Sequence, residues 1–424
     1  MANNVYTGNA IAKAQSQYYT FGGTWVVGET VTVTINSKTW VYTLVTGDTV
    51  IATLVANLVL GFNALDTSYY PEFYGEITSS QASTTTRWVF TSNLAGRPFT
   101  VALSTNSALG TISSATVTQA SVGPNHWDDP LNWSAGTIPA ATEDVYIEKS
   151  SYDILYGLDQ SALSALTSLN ISKTYTGRIG LPNVAAGGYQ EYRQKYLVFK
   201  ATTVNVGYGD SGTGSPRIKW NGSSTQTTVN VLSTGQSEIE GEAALQILGT
   251  HASNALNITK GSVSVATWAG ETSTLATVRL GYTESQASDA NLELGTGVTL
   301  SSATITMAGG RLVSNSAISA LTINGGTATI MAGTVGTLTL DAGNVYYQST
   351  GTITTLAVGS NGDIDFSRDL RARAITNTVS LYERAGFYDP QGTISGTPVF
   401  TMVRGAFSDL TRFDLGVNKT ITRS

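Results

Sequence analysis

Eight short segments of the chain share one pattern of apolar and polar residues. Each places a small residue between two apolar ones. The first four carry asparagine at the centre: Leu169-Asn170-Ile171, Val204-Asn205-Val206, Val229-Asn230-Val231 and Leu256-Asn257-Ile258. The other four are Ile305-Thr306-Met307, Leu321-Thr322-Ile323, Leu338-Thr339-Leu340 and Leu356-Ala357-Val358. Because successive side chains of a strand point to opposite faces, each segment predicts a strand with one buried and one outward face.

The interval between these segments predicts how they are arranged. The second series begins at positions 305, 321, 338 and 356, which are almost evenly spaced. The first begins at positions 169, 204, 229 and 256, and we attribute its wider spacing to inserted loops. Recurrence at a near-fixed interval is typical of stacked units that cover one another's apolar faces. We therefore predict a right-handed parallel β-helix over residues 161–385.

An antiparallel β-sandwich is the alternative for the same region. A sandwich would place tight hairpins at regular intervals. Gly309-Gly310 and Gly325-Gly326 instead recur at equivalent positions of neighbouring repeats. The glycine pattern therefore favours the β-helix.

Composition excludes several classes of function. Charged residues make up 12% of the 424 residues, and residues 301–360 contain only Arg311 and Asp341, too few for solvated helices. The net charge is −6 and no Lys/Arg run exists, which argues against a nucleic-acid partner. With no cysteine and two histidines we expect no disulfide, metal site or cofactor. The longest apolar stretch, residues 50–65, is interrupted by polar residues and too short to span a bilayer, so no membrane contact is expected.

Residues 18–120 predict a compact α+β domain that anchors the molecule. Val50, Leu54, Leu58 and Phe62 follow one another at four-residue steps, which predicts an amphipathic helix, and Gly47-Asp48-Thr49 offers its N-cap. Alternating segments on both sides predict strands. Residues 1–17 are small and polar, and we expect an arm that orders only on contact with a partner.

This domain resembles one found in virion proteins of tailed phages. The matching segments are GGTWVVGETVTVTINSKTWVYTLVTGDTVIATLVANLVLGFNA (Gly22 to Ala64) and WVFTSNLAGRPFTVALST (Trp88 to Thr105). They contain a glycine-led strand, a hairpin, a GDT helix start and a late PFTV strand. The resemblance covers about a quarter of the chain. It implies a component of a virus particle.

Residues 121–160 predict an aromatic cap on the β-helix. Trp127, Asn132 and Trp133 lie in a W-x-x-x-x-N-W-S pattern that resembles the segment preceding β-helical repeats in secreted adhesin-like proteins. Two large rings would close the open end of a stack, and polar side chains would satisfy backbone groups that have no neighbouring strand. The alternative is a sugar platform of the two tryptophans with Asp128 and Asp129 as acids.

Residues 386–424 predict a β-rich C-terminal cap. Charged residues return after Asp363, and the tail carries Phe400, Phe407 and Phe413. A stack needs a lid at its far end to block edge pairing. The same phenylalanines are candidates for a subunit interface.

Paired acids would be needed for a polysaccharide-degrading enzyme. The candidates are Asp341 with Asp363 or Asp365, and Glu238, Glu240 and Glu242 with Glu271. Neither set lies in a segment dense in aromatic residues, so we predict no catalytic residues and no enzyme. If a glycan-binding groove exists, the best candidates are Tyr189, Tyr192, Tyr196 and Tyr208.

The resemblances imply a structural virion protein, a homotrimer that binds the major capsid protein or another virion protein as a head decoration (cement) protein. Met1-Ala2-Asn3-Asn4 does not resemble a secretory leader, so we expect assembly into the virion in the host cytoplasm. Two alternatives remain. One is a receptor-binding tail fibre or tailspike that binds or degrades a host polysaccharide, and the other is a bacterial surface adhesin.

Overall fold

The computed structural model describes residues 3–35, 38–65, 76–209, 217–235, 242–281, 289–300, 304–395, 398–403 and 412–416. These residues are mainly β, with one α-helix and one 3₁₀ turn among them. No helix in these ranges is long and apolar enough to cross a membrane.

The first part of the chain holds nine strands and the helix. In chain order they are β1 (Asn3–Val5), β2 (Ser16–Gly23), β3 (Thr30–Ile35), β4 (Lys38–Thr43), α1 (Ile51–Asn63), β5 (Ile77–Gln81), β6 (Arg87–Ser92), β7 (Ala102–Thr105), β8 (Gly110–Ile112) and β9 (Thr116–Gln119). The 3₁₀ turn Pro130–Asn132 follows.

The remaining strands are mostly short. They are β10 (Asp144–Ile147), β11 (Leu166–Ser172), β12 (Arg178–Ile179), β13 (Leu197–Val198), β14 (Ala201–Tyr208), β15 (Arg217–Asn221), β16 (Thr228–Val231), β17 (Leu245–Leu248), β18 (Ala255–Ile258), β19 (Gly261–Val265), β20 (Ser273–Thr274), β21 (Thr277–Leu280), β22 (Ala290–Leu294), β23 (Val298–Thr299), β24 (Thr304–Met307), β25 (Arg311–Ser314), β26 (Ile318–Ile323), β27 (Thr327–Ile330), β28 (Val335–Tyr347), β29 (Ile353–Asp365), β30 (Arg373–Ala374), β31 (Thr378–Leu381), β32 (Gly386–Tyr388), β33 (Ile394–Ser395), β34 (Val399–Met402) and β35 (Arg412–Asp414).

Every strand pairing described from β10 to β35 is parallel, and the result is a long ladder consistent with a β-helix. We call this region the parallel ladder. Its strands pair with strands one turn of the chain away, because a parallel pair needs a crossover connection. The antiparallel sandwich considered from the sequence is therefore wrong for this region.

The predicted apolar segments form one inward column of the ladder. Twelve successive in-register pairings join its thirteen members. They are Asn4, Val145, Leu169, Val204, Val229, Leu256, Val278, Ile305, Leu321, Leu338, Leu356, Val379 and Phe400. Both series of segments thus belong to the same column, as the spacing predicted. The sequence pattern missed Val278, which joins the two series, because Arg279 replaces the small central residue.

A second inward column lies on the face that begins with β12. It runs through Leu245, Val263, Leu292, Leu312, Ala328, Val345, Ile364, Phe387 and Phe413. The long strands β28 and β29 turn the corner and take part in both faces. Shorter pairings, such as β20 with β23 and β30 with β33, lie apart from these two faces. The columns share one continuous apolar core from Tyr6 to Leu415.

Glycines occupy one corner where neighbouring turns come close. Gly310, Gly326 and Gly343 each have a left-handed φ, of +82°, +89° and +100°. A Cβ on Gly326 would lie 2.4 Å from the carbonyl oxygen of Gly310, and one on Gly343 would lie 2.4 Å from that of Gly326. The recurrence of glycine at equivalent positions is confirmed, and the reason is both backbone conformation and lack of space.

Asparagines form a row on the outward side of the first face. The Asn205 Nδ2 donates to Asn170 Oδ1 at 2.8 Å, the Asn230 Nδ2 donates to Asn205 Oδ1 at 3.0 Å, and the Asn257 Nδ2 donates to Asn230 Oδ1 at 3.0 Å. Stacked amides of this kind also reinforce cross-β structures. The central asparagines of the first four segments therefore help to hold successive turns in register.

Strands β2 to β9 and α1 form an antiparallel domain with its own core. One sheet has the order β5-β6-β2-β8, with β9 also paired to β2, and another has the order β4-β3-β7. The helix buries Leu54, Val55, Leu58 and Phe62, which confirms the predicted amphipathic face except for Val50, which precedes the helix and is 58% exposed. The predicted cap is wrong, since Val50 occupies the N-cap without a side-chain hydrogen bond.

Asp48, the expected capping residue, has a different role. It is fully buried and accepts hydrogen bonds from the Val45 N–H (2.8 Å), the Tyr42 hydroxyl (2.9 Å) and the Asn57 amide (2.7 Å). Burial and the Asp48 carboxylate together raise the pKa of Tyr42 to about 12. Asp48 therefore ties the loop before α1 to the helix and to β4.

The antiparallel domain is an insertion within the parallel ladder. Strand β1 precedes it, yet pairs in parallel with β10, which follows it. The chain enters and leaves the domain side by side, since Lys13 and Val122 form an antiparallel bridge. Residues 3–17 are packed against the rest of the chain, with Asn4 and Tyr6 buried, so our expectation of an arm that orders only on contact does not agree with the structure.

Candidate functional site

The predicted aromatic cap lies in the core at the first turns of the ladder. Trp127 and Trp133 are 0% and 3% exposed, and their ring centroids are 4.7 Å apart. Tyr6 contacts Trp133 edge-on at 5.3 Å, and Phe199 lies 5.6 Å from Trp127. With so little ring surface exposed, these tryptophans offer no sugar platform.

Asn132 joins three segments at this end of the ladder. Its Nδ2 donates to the carbonyls of Gly123 (2.8 Å) and His126 (2.7 Å), and its Oδ1 accepts the N–H of Ala10 (2.9 Å). Asp129 caps the 3₁₀ turn by accepting the Leu131 N–H at 3.0 Å. The polar residues of the W-x-x-x-x-N-W-S pattern thus satisfy backbone groups around the aromatic cluster.

Phe400 and Phe413 lie at the other end of the ladder, where they extend the two inward columns. Their ring centroids are 5.5 Å apart, and each lies 5.6 Å from the ring of Phe387. Both are partly buried against the core, and the neighbouring Val399 is 62% exposed. Phe407 lies outside the described residues.

A buried cluster of charges fastens the antiparallel domain to the ladder. Glu76 of the domain is 1% exposed. It accepts hydrogen bonds from the Tyr192 hydroxyl at 2.7 Å, from Arg193 Nη2 at 3.1 Å, and from Arg97 Nη2. Arg193 also pairs with Glu191, with Nε 2.9 Å from Oε1. We call this cluster the clasp, defined by Glu76, Arg97, Glu191, Tyr192 and Arg193.

Burial and ion pairing oppose one another in the clasp, and the outcome differs between Glu76 and Arg193. Burial raises the pKa of the Glu76 carboxyl, while the guanidinium groups of Arg193 and Arg97 oppose that shift. The Glu191 and Glu76 carboxylates outweigh the desolvation of Arg193 and raise its pKa. Removing one partner of such a buried set leaves an uncompensated charge, which is strongly destabilising. The clasp therefore fixes how the domain sits on the ladder.

The four tyrosines proposed for a glycan groove are not brought together. Tyr189 and Tyr192 stack at 6.3 Å beside the clasp, and Tyr192 packs on the core of the antiparallel domain. Tyr196 is 7% exposed and donates to Glu271 Oε1 at 2.6 Å. The Tyr208 hydroxyl donates to Glu148 Oε2 at 3.2 Å, on the side of the ladder that carries the asparagine row. No sequence pattern pointed to the clasp, since Glu76 and Arg97 lie far along the chain from its other three members.

The candidate acids Asp341 and Asp363 do not lie opposite one another on adjacent strands. Asp363 lies opposite Asn344, not opposite Asp341, and it pairs with Arg412 Nη2 at 2.7 Å. Asp365 accepts the N–H of Ser367 at 2.7 Å.

In the second set of acids, each described carboxylate contacts a basic or hydroxyl group. Glu242 pairs with Lys219 at 3.2 Å, and Glu271 binds the Tyr196 hydroxyl. Glu238 and Glu240 lie outside the described residues.

A cavity lined by charged residues lies on the surface of the ladder. It has a volume of about 380 Å³ and lies between strands β12, β15 and β17 and the hairpin of residues 182–188. Arg178, Arg217, Lys219 and Glu242 contribute its charged lining. Within the described ranges, no group of three or more His, Asp or Glu side chains is placed to hold a metal ion.

Comparison with known proteins adds no further identification: no protein-family model matches the chain, and no curated protein matches it.

Proposed function

We propose that this chain is a structural virion protein of a tailed phage that binds the outer capsid as a decoration protein. The observation that carries the proposal is the unbroken column of twelve in-register pairings. At about 4.8 Å for each step it gives a rod about 58 Å long. Such a rod is suited to reinforcing or projecting from a surface, and the phage assignment rests on the resemblance of residues 22–64 and 88–105.

The parallel ladder in this proposal is a right-handed β-helix with a β-rich C-terminal cap. Parallel strands joined by crossover connections are right-handed in nearly all known cases. The cap includes β34 and β35, whose phenylalanines close the apolar core.

The proposed assembly is a homotrimer packed through the asparagine side of the ladder. From β11 to β29, the outward positions that flank the inward column are almost all small or amide residues: Ser168, Asn170, Thr203, Asn205, Thr228, Asn230, Ala255, Asn257, Thr277, Arg279, Thr304, Thr306, Ala320, Thr322, Thr337, Thr339, Thr355 and Ala357. Among these described positions only Arg279 carries a charge. A face with so few charges can be buried against a copy of itself at little desolvation cost.

The antiparallel domain supplies the anchor to the particle, and the proposed partner is the major capsid protein or another virion protein. The clasp holds this domain rigidly against the ladder, so a contact made by the domain also orients the rod. Residues 3–5 belong to the ladder, and the proposed anchor is therefore the domain without the segment that precedes it.

Gold-labelled antibody against the purified chain tests the location on phage particles. We expect label over the whole head surface. Label confined to the tip of the tail would reject a decoration protein and favour the receptor-binding fibre.

Sedimentation equilibrium tests the trimer, with an expected mass three times the 44.5 kDa of the chain. Thr322→Arg places a charge on the proposed contact face and should give monomers. Thr329→Arg, on the second face one strand later, is the matched control and should leave the trimer intact. A monomeric wild-type chain, or equal effects of the two variants, would contradict this assembly.

A further inference from the structure

The cavity on the second face of the ladder has a preformed floor. Arg178 of β12 pairs in register with Arg217 of β15, and Lys219 of β15 with Gln246 of β17. These residues stand on the outward side of strands whose inward neighbours, such as Ile218, belong to the core. Because the floor consists of paired strands, the backbone positions from which these side chains project are set before any ligand arrives.

Cationic side chains outnumber acidic ones in this cavity. Lys219 is 6% exposed, and its Nζ lies 3.2 Å from Glu242 Oε1, which neutralises one charge. The Arg217 Nη1 lies 3.4 Å from the Glu242 carbonyl oxygen. Arg178 has no ion pair among the described residues. Two arginines at equivalent positions of adjacent strands have backbones about 4.8 Å apart, which is close enough for both guanidinium groups to reach one anionic group.

The opposite wall is a hairpin of small residues. Val184 and Gln190 form its antiparallel bridge, and the Ala185 N–H donates to the Tyr189 carbonyl at 2.9 Å. Ala186 and Gly188 line the cavity from this side and leave room beside the arginines.

The clasp holds the far end of this hairpin. Arg193 Nη1 lies 3.2 Å from the Pro98 carbonyl oxygen, in addition to its contact with Glu76. The wall is therefore fixed from behind by the antiparallel domain.

We propose that this cavity binds an acidic sugar, with the carboxylate between Arg178 and Arg217 and the ring against the hairpin. A volume of about 380 Å³ suits a ligand of monosaccharide size and lies within the usual range of small-molecule sites, about 300–1,000 Å³. A guanidinium fork matches the planar carboxylate group. Glu242 and Gln246 offer polar partners for hydroxyl groups, and Val184 and Ala185 offer an apolar surface. This inference does not depend on where the chain sits in a particle.

Isothermal titration of the full chain with sodium glucuronate tests the proposal. We expect saturable binding of glucuronate and none of glucose, which lacks the carboxylate. Arg178→Gln should weaken binding at least about tenfold, the loss expected for a charge-assisted hydrogen bond. Arg311→Gln is the matched control because Arg311 lies further along the same face of the ladder, outside the cavity, and it should change the affinity less than about twofold.

A second variant separates loss of binding from loss of folding. Ala186 is exposed on the hairpin, so Ala186→Trp fills the cavity without altering its charge and should also abolish binding. Absence of glucuronate binding to the wild-type chain, or binding unchanged in both cavity variants, would overturn the proposal. Equal or tighter binding of inorganic phosphate would overturn the assignment to a carboxylate.

Discussion

Replacing Gly326 by alanine tests the idea that neighbouring turns of the ladder lie directly on one another. Gly326 has a φ of +89°, and a Cβ there would lie 2.4 Å from the carbonyl oxygen of Gly310. Gly270 is the matched control within the ladder. Its φ is +83°, and nothing lies within 4 Å of the position of its Cβ.

The two variants share one cost and differ in another. In both, alanine must adopt a left-handed φ, which costs about 1–2 kcal/mol. In both, the smaller entropy of the unfolded chain offsets about 0.4–1 kcal/mol of this. Only at Gly326 must backbone atoms move to admit the methyl group, and overpacking of this kind costs about 1–3 kcal/mol. Gly326→Ala should therefore lower the free energy of unfolding by about 1–3 kcal/mol more than Gly270→Ala.

Urea unfolding followed by far-ultraviolet circular dichroism measures the difference. Since stacked repeats can unfold locally, amide hydrogen exchange in β25 to β28 should be measured alongside. We expect a lower urea midpoint and faster exchange in these strands for Gly326→Ala alone. Equal midpoints for the two variants would refute the close contact of the turns at this corner.

Three further predictions concern the core, the asparagine row and the clasp. Leu338→Ala should cost about 2–5 kcal/mol because the side chain is fully buried, whereas Thr339→Ala, the outward neighbour, should cost less than about 0.5 kcal/mol; similar urea midpoints would show that the column is not inward-facing. Asn230→Ala removes two amide hydrogen bonds and should cost about 1–3 kcal/mol, seen as faster amide exchange in β16 and β18, and unchanged exchange would count against the row. Burial raises the pKa of Glu76, so its contribution to stability is complete below the ordinary carboxyl pKa of about 4.3 and is lost as the pH rises through the raised value. Glu76→Gln should therefore flatten the decrease of the urea midpoint above about pH 4, and a pH profile identical to that of the wild type would exclude this assignment.

The repeats could be predicted from the sequence because their interval is almost free of insertions. From Ile305 to Leu356 the turns are nearly equal in length, and every apolar segment falls in the inward column. The helix of the antiparallel domain was equally predictable, since its buried residues recur at the period of one face. In both cases the apolar positions of the local pattern are also the positions that pack in the core.

Other elements depend on contacts that no local pattern records. Strand β1 is very short and contains two asparagines, and Asn4 pairs with Val145, which lies beyond the whole antiparallel domain. The cavity of Arg178 and Arg217 exists because two strands that are well separated in the chain align in register. The clasp joins Glu76 to Arg193, which lies 117 positions further along the chain. The sequence shows these residues but not which of them meet.

The position of β1 also constrains how the molecule is made. The nascent chain carries this strand ahead of the antiparallel domain, but its partner β10 leaves the ribosome only after the whole domain has been synthesised. Pairing two strands across so long a loop is slow unless the intervening residues have already folded. Here the bridge between Lys13 and Val122 brings the two ends of the antiparallel domain together. Deleting Asn3–Val5 would leave backbone groups on one edge of β10 unpaired, and such an edge can pair with strands of other molecules. Strand β1 thus covers an edge of β10 that would otherwise be open to other chains.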